Sequence, residues 1–152
     1  MAKIGKNLST IHRLEREYLK PILDEYHLPA NAFSIILNIG KEEGLSQKQL
    51  CERIGIDEAL ITRLVHKLED EKIIMKKRNT DDLRAYQLYL TDLGKEILPK
   101  IENRLGIWWK TLLEDLPQDL LEQYIETITQ RAKQLTKEDK KWEKKKWEMV
   151  RF

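Results

Sequence analysis

The spacing of hydrophobic residues predicts two helices at the start of the chain. Between residues 4 and 26, apolar side chains recur every three or four positions with polar residues between them, the repeat of an amphipathic helix. Pro21 predicts either a kink in this helix or a junction between two helices, because proline lacks the backbone donor that a helix interior uses. The apolar stretch 32–44 predicts a second helix that ends at Gly44, since glycine suits a C-cap.

Two short helices separated by a glycine-containing turn are predicted next. Ser46 and Gln49 have the spacing of a capping box, so the first of these helices begins at Ser46, and it closes near Gly55. Asp57 is predicted to cap the second, which runs to about residue 72. A strongly amphipathic second helix after such a turn is typical of a helix-turn-helix.

This second helix has two opposite faces. Four apolar residues fall on a stripe that is expected to face the core: Ile61, Leu64, Val65 and Leu68. A second stripe, about 200° around the helix, is expected to point outward: Ala59, Thr62, Arg63 and His66. These outward groups fit a major groove and can pair with base edges or phosphates, although a solvated helix face is the alternative interpretation.

The period then changes from helical to alternating. Residues 73–79 and 85–91 contain β-branched and aromatic residues, and the polar run 79–84 between them predicts a turn. The alternating residues Tyr86, Leu88 and Leu90 are expected to anchor this hairpin to the rest of the lobe. A hairpin directly behind a helix-turn-helix is a winged helix, so the predicted fold is mainly α with a small β-hairpin wing.

The last third of the chain is predicted to be helical again. One helix covers about 92–115, weakly broken by Pro99, and another runs from Pro117 to about 135. Residues 136–152 form a charged tail that contains Trp142, Trp147 and Phe152. We expect this tail to pack on a dimer, because three apolar rings are poorly placed in water. A basic arm on DNA phosphates and a solvated helix end are the alternatives.

Composition limits these interpretations. The 152 residues fit one domain, and 28 basic against 26 acidic residues give a net charge of only +2, so a nucleic-acid footprint must come from local arrangement. The single cysteine, Cys51, excludes an intramolecular disulfide and is expected to be a buried structural thiol rather than a redox sensor. With no apolar stretch that suits a signal peptide or membrane span, we expect a cytoplasmic protein without a membrane partner.

Catalytic, metal and cofactor sites are not predicted. The sequence has no glycine-rich phosphate loop, no recognisable nucleophile–base pair and no paired carboxylates in a predicted cleft. His12, His27 and His66 are scattered, without a cysteine or carboxylate at metal-ligand spacing. An enzyme is therefore not expected.

The wing carries the most specific motif of the chain. Six residues stand in the arrangement R-x3-D-x-R-x5-L-T-x2-G: Arg78, Asp82, Arg84, Leu90, Thr91 and Gly94. This arrangement resembles the winged-helix signature of the multiple-antibiotic-resistance-regulator (MarR) family. The segments HLPANAFSIILNI, LSQKQLCERIGI and LITRLVHKLEDEKII follow the order and spacing of that family, so the resemblance covers roughly residues 5–135. One departure is Lys72, where the family commonly has a glycine.

The resemblance implies a homodimeric repressor or activator of transcription that binds double-stranded DNA. Residues 1–135 would form one domain, with dimerisation helices at about 4–26 and 92–135 and a DNA-binding lobe at about 30–91. The second helix of the helix-turn-helix would enter the major groove. Arg84 would insert into the adjacent minor groove and Asp82 would orient it. We expect a repressor on a pseudopalindromic operator.

The expected DNA-binding residues come from the outward stripe, the start of the first helix of the pair and the wing: Ser46, Gln47, Lys48, Ala59, Thr62, Arg63, His66, Lys67, Arg78, Asp82 and Arg84. Thr62, Arg63 and His66 are expected to contact bases, and the DNA backbone is expected to be held by Ser46, Gln47, Lys48 and Lys67. A pocket for a small aromatic effector would be lined by Tyr18, Tyr26, Phe33 and Trp108, with core or dimer packing as the alternative. Two other functions stay open: a winged-helix protein-interaction module without DNA binding, and a ligand-binding helical dimer.

Overall fold

A computed structural model describes residues 2–79 and 86–150, and the side chains of residues 3–79 and 86–139. Residues 80–85, which include Asp82 and Arg84 of the predicted turn, lie outside the described residues. The same holds for the side chains of Trp142 and Trp147 and for all of Phe152. The chain forms two compact units, residues 1–110 and 111–152. The elements are α1 (Ala2–Glu25), α2 (Ala32–Lys41), β1 (Leu45–Ser46), α3 (Gln47–Ile54), α4 (Glu58–Asp70), β2 (Ile74–Arg78), β3 (Tyr86–Leu90), α5 (Asp92–Leu112) and α6 (Gln118–Val150).

The fold class is the predicted one, mainly α with a small antiparallel sheet and a winged helix-turn-helix. The first unit contains a hydrophobic core to which α1, α2, α3, α4, the sheet and α5 all contribute. The side chains at its centre are fully excluded from solvent: Leu19, Ile35, Ile36, Ile39, Leu50, Ile61, Val65, Leu68, Ile73, Leu88, Ile97 and Ile101. Burying this apolar surface holds the helix-turn-helix and the sheet in one lobe.

Two boundaries in the first half differ from the prediction. α1 runs through Pro21 as one helix, so the predicted junction is absent, and Leu19 and Leu23, two residues before and after the proline, are both buried. α2 ends at Lys41, and Gly44 is not its cap. Instead Gly44, with φ +86°, donates its backbone N–H to the Leu88 carbonyl at 2.9 Å and leads into β1.

The sheet has the strand order β1-β3-β2 and is antiparallel throughout. β1 was not predicted; it pairs Leu45 with Leu88. Leu88 and Leu90 are buried, as predicted, but Tyr86 is 46% exposed, so its predicted anchoring role is wrong. β1 is only two residues long and pairs with β3 at residues 87 and 88, so it does not extend along β3 as far as Tyr86.

The last two helices are longer or more continuous than predicted. α5 continues through Pro99 and ends at Leu112. In the second unit, a turn through Asp115 (φ +64°) leads into α6, which begins just after Pro117 as predicted. α6 does not end near residue 135 but continues to Val150, so residues 136–150 of the charged tail are part of this helix. None of the helices in the described residues has the length and apolar character needed to cross a bilayer.

Candidate nucleic-acid interface

The two faces of α4 are placed as the sequence predicts. The stripe expected in the core is fully or almost fully buried: Ile61, Leu64, Val65 and Leu68. On the opposite face Ala59, Arg63 and His66 are exposed and Thr62 is half-buried. Asp57 caps the helix by accepting a hydrogen bond from the Leu60 backbone N–H at 3.1 Å, so its charge lies at the positive end of the helix dipole.

α4 ends in a left-handed residue that is not glycine. Lys72 has φ +57° and donates its N–H to the Glu69 carbonyl at 2.9 Å, while Ile73 donates to the Leu68 carbonyl at 2.8 Å. These two bonds form a Schellman cap. The cap that the family usually builds with glycine is therefore present here with lysine in its place.

The start of α3 lies beside α4 and the sheet. The capping box is present: Ser46 Oγ accepts from the Gln49 N–H at 3.2 Å, and Gln49 Oε1 accepts from the Ser46 N–H at 2.8 Å. Gln47 Nε2 donates to Thr62 Oγ1 at 2.5 Å, which joins α3 to the outward face of α4. A cleft of about 240 Å³ is lined by Ser46, Gln47, Lys48, Lys76, Tyr86 and Leu88.

The first strand of the wing carries Arg78, a predicted DNA-binding residue, and two lysines that were not predicted, Lys76 and Lys77. Arg78 is exposed on β2, with its guanidinium carbon 6.0 Å from the centre of the Tyr86 ring. Lys77 Nζ lies 4.7 Å from the centre of the Tyr89 ring. Lys76 lines the cleft described above. The signal for both lysines was the unbroken basic run at residues 76–78.

Glu69 connects α4 to the wing. One of its carboxylate oxygens lies 2.6 Å from Lys76 Nζ and 3.7 Å from His66 Nδ1. The Lys76–Glu69 pair is only partly exposed, which limits its screening by water. His66 therefore has a negative charge beside Nδ1, which leaves the other ring nitrogen, Nε2, for an outside partner.

Lys67 is not brought together with the other predicted residues. Its Nζ lies 2.5 Å from Glu71 Oε1, and its side chain lines a different depression with Asp24 and His27. The hydrogen bond from Lys67 lowers the pKa of the Glu71 carboxyl below its usual value. A phosphate contact by Lys67 stays a prediction, and it would require this pair to open.

Among the predicted effector-binding residues, Tyr18 and Trp108 lie together. Their ring centroids are 5.0 Å apart, and the Arg104 guanidinium lies 4.3 Å from the Tyr18 ring centre. Trp108 Nε1 is buried and has no hydrogen-bond partner among the described residues. Tyr26 instead accepts a hydrogen bond from Lys100, and Phe33 belongs to the buried core.

Burial is the main cause of a raised pKa at two described side chains of the first unit, Glu15 and Cys51. Burial raises the pKa of the Glu15 carboxyl, although a hydrogen bond from Trp109 Nε1 at 3.0 Å opposes this effect. Burial, and then the negative charge of Glu58, raise the pKa of the Cys51 thiol. Cys51 is half-buried rather than buried. A raised pKa disfavours the reactive thiolate, which favours a structural role for this thiol.

Comparison with known proteins gives consistent matches. The family model of the MarR family matches residues 28–86. The chain is 30% identical over 123 residues to the HTH-type transcriptional regulator SarZ of Staphylococcus epidermidis (strain ATCC 12228 / FDA PCI 1200), which covers 81% of this chain and 71% of the relative. It is 32% identical over 91 residues to the HTH-type transcriptional regulator BilQ of Clostridioides difficile (strain CD3), which covers 60% of this chain. The chain spans 62% of the length of that second relative.

Solved structures share the fold. A MarR transcriptional regulator from Methanosarcina mazei Go1 superposes with a TM-score of 0.80 at 23% identity, over 89% of this chain and 99% of the other. A MarR family regulator from Listeria monocytogenes, described as putative and solved as a complex with a 26mer DNA, superposes with a TM-score of 0.76 at 20% identity, over 86% of each chain. At these identities the likeness shows the fold.

Proposed function

Because this chain belongs to the MarR family, we propose that it is a transcriptional regulator rather than an enzyme, and that it binds duplex DNA as a homodimer and represses transcription from a pseudopalindromic operator. The outward face of α4 is the observation that carries the proposal. It presents a hydroxyl, a guanidinium and an imidazole opposite the buried stripe. A helix fits a major groove about 12 Å wide, and the Listeria monocytogenes neighbour of this fold was solved with DNA.

The residues around this face have separate proposed roles. Thr62, Arg63 and His66 contact base edges, and the small side chain of Ala59 allows close approach of the helix to the groove. Backbone phosphates are held by Ser46, Lys48 and Arg78, with Lys67 at the flank. These cations matter because phosphate contacts release counterions and provide most of the non-specific affinity.

The wing is proposed to contact the adjacent minor groove through Arg84, with Asp82 orienting the guanidinium. Support comes from β2, the strand that precedes these two residues, since exposed Arg78 and Lys77 already place positive charge along the wing. Arginine suits a narrow minor groove, where the negative potential of the DNA is enhanced.

Apolar side chains left exposed on helices support the homodimer. On α1, Ile4, Leu8, Ile11 and Leu14 recur at helical spacing and are 37–59% exposed. In the second unit, α6 exposes Leu120, Tyr124, Ile125, Ile128 and Leu135. Several exposed apolar residues on one helix favour an interface. A two-fold dimer would place its half-sites about 34–36 Å apart, and sedimentation equilibrium should give twice the mass of one chain.

A small aromatic ligand is proposed to bind the protein in the cytoplasm and to release it from the operator. The paired rings of Tyr18 and Trp108, with the Arg104 guanidinium over Tyr18, form the part of the predicted effector site that has a suitable composition. Aromatic faces and a guanidinium together favour a planar ligand with a negative charge.

Operator binding tests the proposal. Fluorescence anisotropy would measure the affinity of the full chain for the duplex upstream of its own gene, at fixed moderate salt. Arg63→Ala and Arg84→Ala are each expected to weaken binding by roughly 5- to 150-fold, the loss of about 1–3 kcal/mol. Lys133→Ala removes a positive charge from the exposed surface of α6, at a helical position opposite its exposed apolar residues, and should leave the affinity within two-fold.

Three outcomes would contradict the proposal. If the Arg84→Ala variant loses less than a few-fold in affinity, the role of the wing is wrong. If the wild-type chain forms no complex with DNA, the protein-interaction module is favoured. Tight binding of an aromatic ligand that is unchanged by both arginine variants, without DNA binding, would favour the ligand-binding helical dimer.

A further inference from the structure

Gln47 and Thr62 form one hydrogen-bonded unit between α3 and α4. Gln47 is the first residue of α3 and Thr62 lies in the second turn of α4. The Gln47 amide nitrogen donates to Thr62 Oγ1 at 2.5 Å, and Thr62 Oγ1 donates to the Glu58 carbonyl at 2.9 Å. Both side chains are half-buried, so each is restrained while part of it stays accessible.

The Thr62 hydroxyl determines which way the Gln47 amide points. A hydroxyl has one proton, and in Thr62 this proton is used by the Glu58 carbonyl. Oγ1 can therefore only accept a hydrogen bond from Gln47. The opposite amide orientation would place two acceptor oxygens against each other without a proton between them, so the network requires Gln47 Nε2 to face Thr62.

This orientation leaves a defined set of groups for an outside partner. Gln47 keeps its Oε1 acceptor and the second proton of Nε2, and within the described residues nothing donates to that oxygen. An acceptor and a donor side by side on an amide match the N6 amino group and N7 of adenine. Thr62 can no longer donate to a base, so it offers its methyl group and a lone pair, and a methyl group packs well against the thymine methyl.

We propose that Gln47 and Thr62 together select an A·T base pair in the major groove, with Gln47 contacting adenine and Thr62 setting the orientation of its amide. This inference rests on the proposed DNA-binding function. It changes the role expected for Gln47 from a contact with the DNA backbone to a contact with a base. Thr62 is then a positioning residue as well as a contact to thymine.

The test begins with selection of a preferred duplex by the wild-type chain from a random library. Each base pair of that duplex is then replaced in turn, and affinities are measured by anisotropy for wild type, Gln47→Ala, Thr62→Val and the double variant. We expect one A·T pair at which wild type discriminates by tenfold or more and Gln47→Ala by less than two-fold. Thr62→Val should lose part of the same discrimination, and the double variant should be no worse than Gln47→Ala.

Atomic substitution in the DNA sharpens the result. Replacing the adenine with 7-deazaadenine removes the N7 acceptor and should weaken wild type several-fold but leave Gln47→Ala unchanged. Lys48→Ala is the matched control, since Lys48 is the next residue of α3 and is exposed. Loss of a phosphate contact should weaken all duplexes by the same factor and reduce the salt dependence by about one ion. Thermal unfolding of each variant checks that it is folded.

The outcomes separate this inference from the proposed function. Suppose that wild type selects a sequence and that Arg63→Ala weakens binding to it, but that Gln47→Ala lowers the affinity for all duplexes by the same factor, as Lys48→Ala does. Gln47 then binds a phosphate, so the inference is wrong while the proposed function stands. If discrimination at the A·T pair is lost with Gln47→Ala but unchanged with Thr62→Val, the positioning role of Thr62 is wrong. If wild type binds no duplex, both the inference and the proposed function fail.

Discussion

Replacing Gly94 with alanine should strongly destabilise the first unit. Gly94 is buried in the first turn of α5, and a Cβ at this position would lie 2.3 Å from the Ile73 carbonyl oxygen and 3.2 Å from two atoms of Leu90. The nearest of these atoms belongs to backbone, so a side-chain rotation cannot relieve the overlap. That oxygen also accepts a hydrogen bond from the Thr91 N–H at 3.0 Å, and it lies 3.1 Å from the Thr91 hydroxyl oxygen.

The expected cost combines two effects. Overpacking of a close-packed site costs typically 1–3 kcal/mol, and loosening a hydrogen bond of the Ile73 carbonyl adds about 1 kcal/mol. We therefore expect a loss of roughly 2–4 kcal/mol, a large part of the stability of a domain of this size. Urea unfolding followed by circular dichroism would measure it, at one protein concentration for all variants because dimerisation would shift the transition.

Gly106→Ala provides a matched control within α5. A Cβ at Gly106 would meet no atom within 4 Å, so this change should only raise helix propensity and stabilise by about 1 kcal/mol. The two variants make the same chemical change in one helix with opposite expected signs. A Gly94→Ala variant within about 0.5 kcal/mol of wild type would refute the reasoning, because that value is the usual range of surface substitutions.

Two further predictions concern backbone strain and a buried charge. Lys72→Gly should stabilise the fold by roughly 0.5–1 kcal/mol, because Lys72 has φ +57° and glycine adopts this conformation without steric cost. Urea unfolding should therefore show a higher midpoint, and an unchanged or lower midpoint would contradict this reasoning. Burial raises the pKa of the Glu15 carboxyl above 4.5, so the folded state binds this proton more tightly than the unfolded state does. The protonated carboxyl therefore contributes its full stability below pH 4.5, and that contribution is lost as the pH rises through the folded-state pKa. Glu15→Gln should therefore melt higher than wild type at pH 7 and equally near pH 4, and a difference that does not change with pH would contradict this explanation.

The elements that the sequence predicts well are those set by local signals. The capping box at Ser46 and Gln49 requires only residues three apart, and both of its hydrogen bonds are present. The buried stripe of α4 follows from the helical repeat alone. The strands of the wing were also visible, because their alternation is a property of each segment by itself.

The parts that were missed depend on contacts distant in sequence. β1 consists of two residues, too few for any repeat, and exists because Leu45 and Ser46 pair with β3 some forty positions later. Gly44 has the conformation expected of a helix cap, but its N–H partner is Leu88 rather than a carbonyl of α2. Tyr86 is the first residue of β3 and lies outside the part of that strand that pairs with β1. The Gln47–Thr62 bond likewise needs the packing of α3 on α4.

The L-T-x-x-G part of the wing motif has a structural explanation that the resemblance alone did not provide. The Thr91 hydroxyl lies 2.6 Å from the Lys72 carbonyl and accepts the Gly94 N–H at 3.1 Å, and the Thr91 N–H bonds the Ile73 carbonyl. Since the hydroxyl has one proton, the shorter contact with Lys72 uses it, and the Ile73 carbonyl keeps the backbone N–H. These bonds satisfy two carbonyls at the end of α4 and cap α5 with a single side chain.

The position of these bonds matters for the proposed function. β2 begins directly after Ile73 and β3 ends directly before Thr91, so both ends of the wing are joined to the end of α4 at this point. Gly94 is required because any side chain there would displace the Ile73 carbonyl. The threonine and glycine of the motif thus hold the base of the wing, which leaves contact with DNA to the basic residues farther along it. The role proposed for Arg84 depends on this closure, so Gly94→Ala should weaken operator binding even in the fraction of molecules that remains folded.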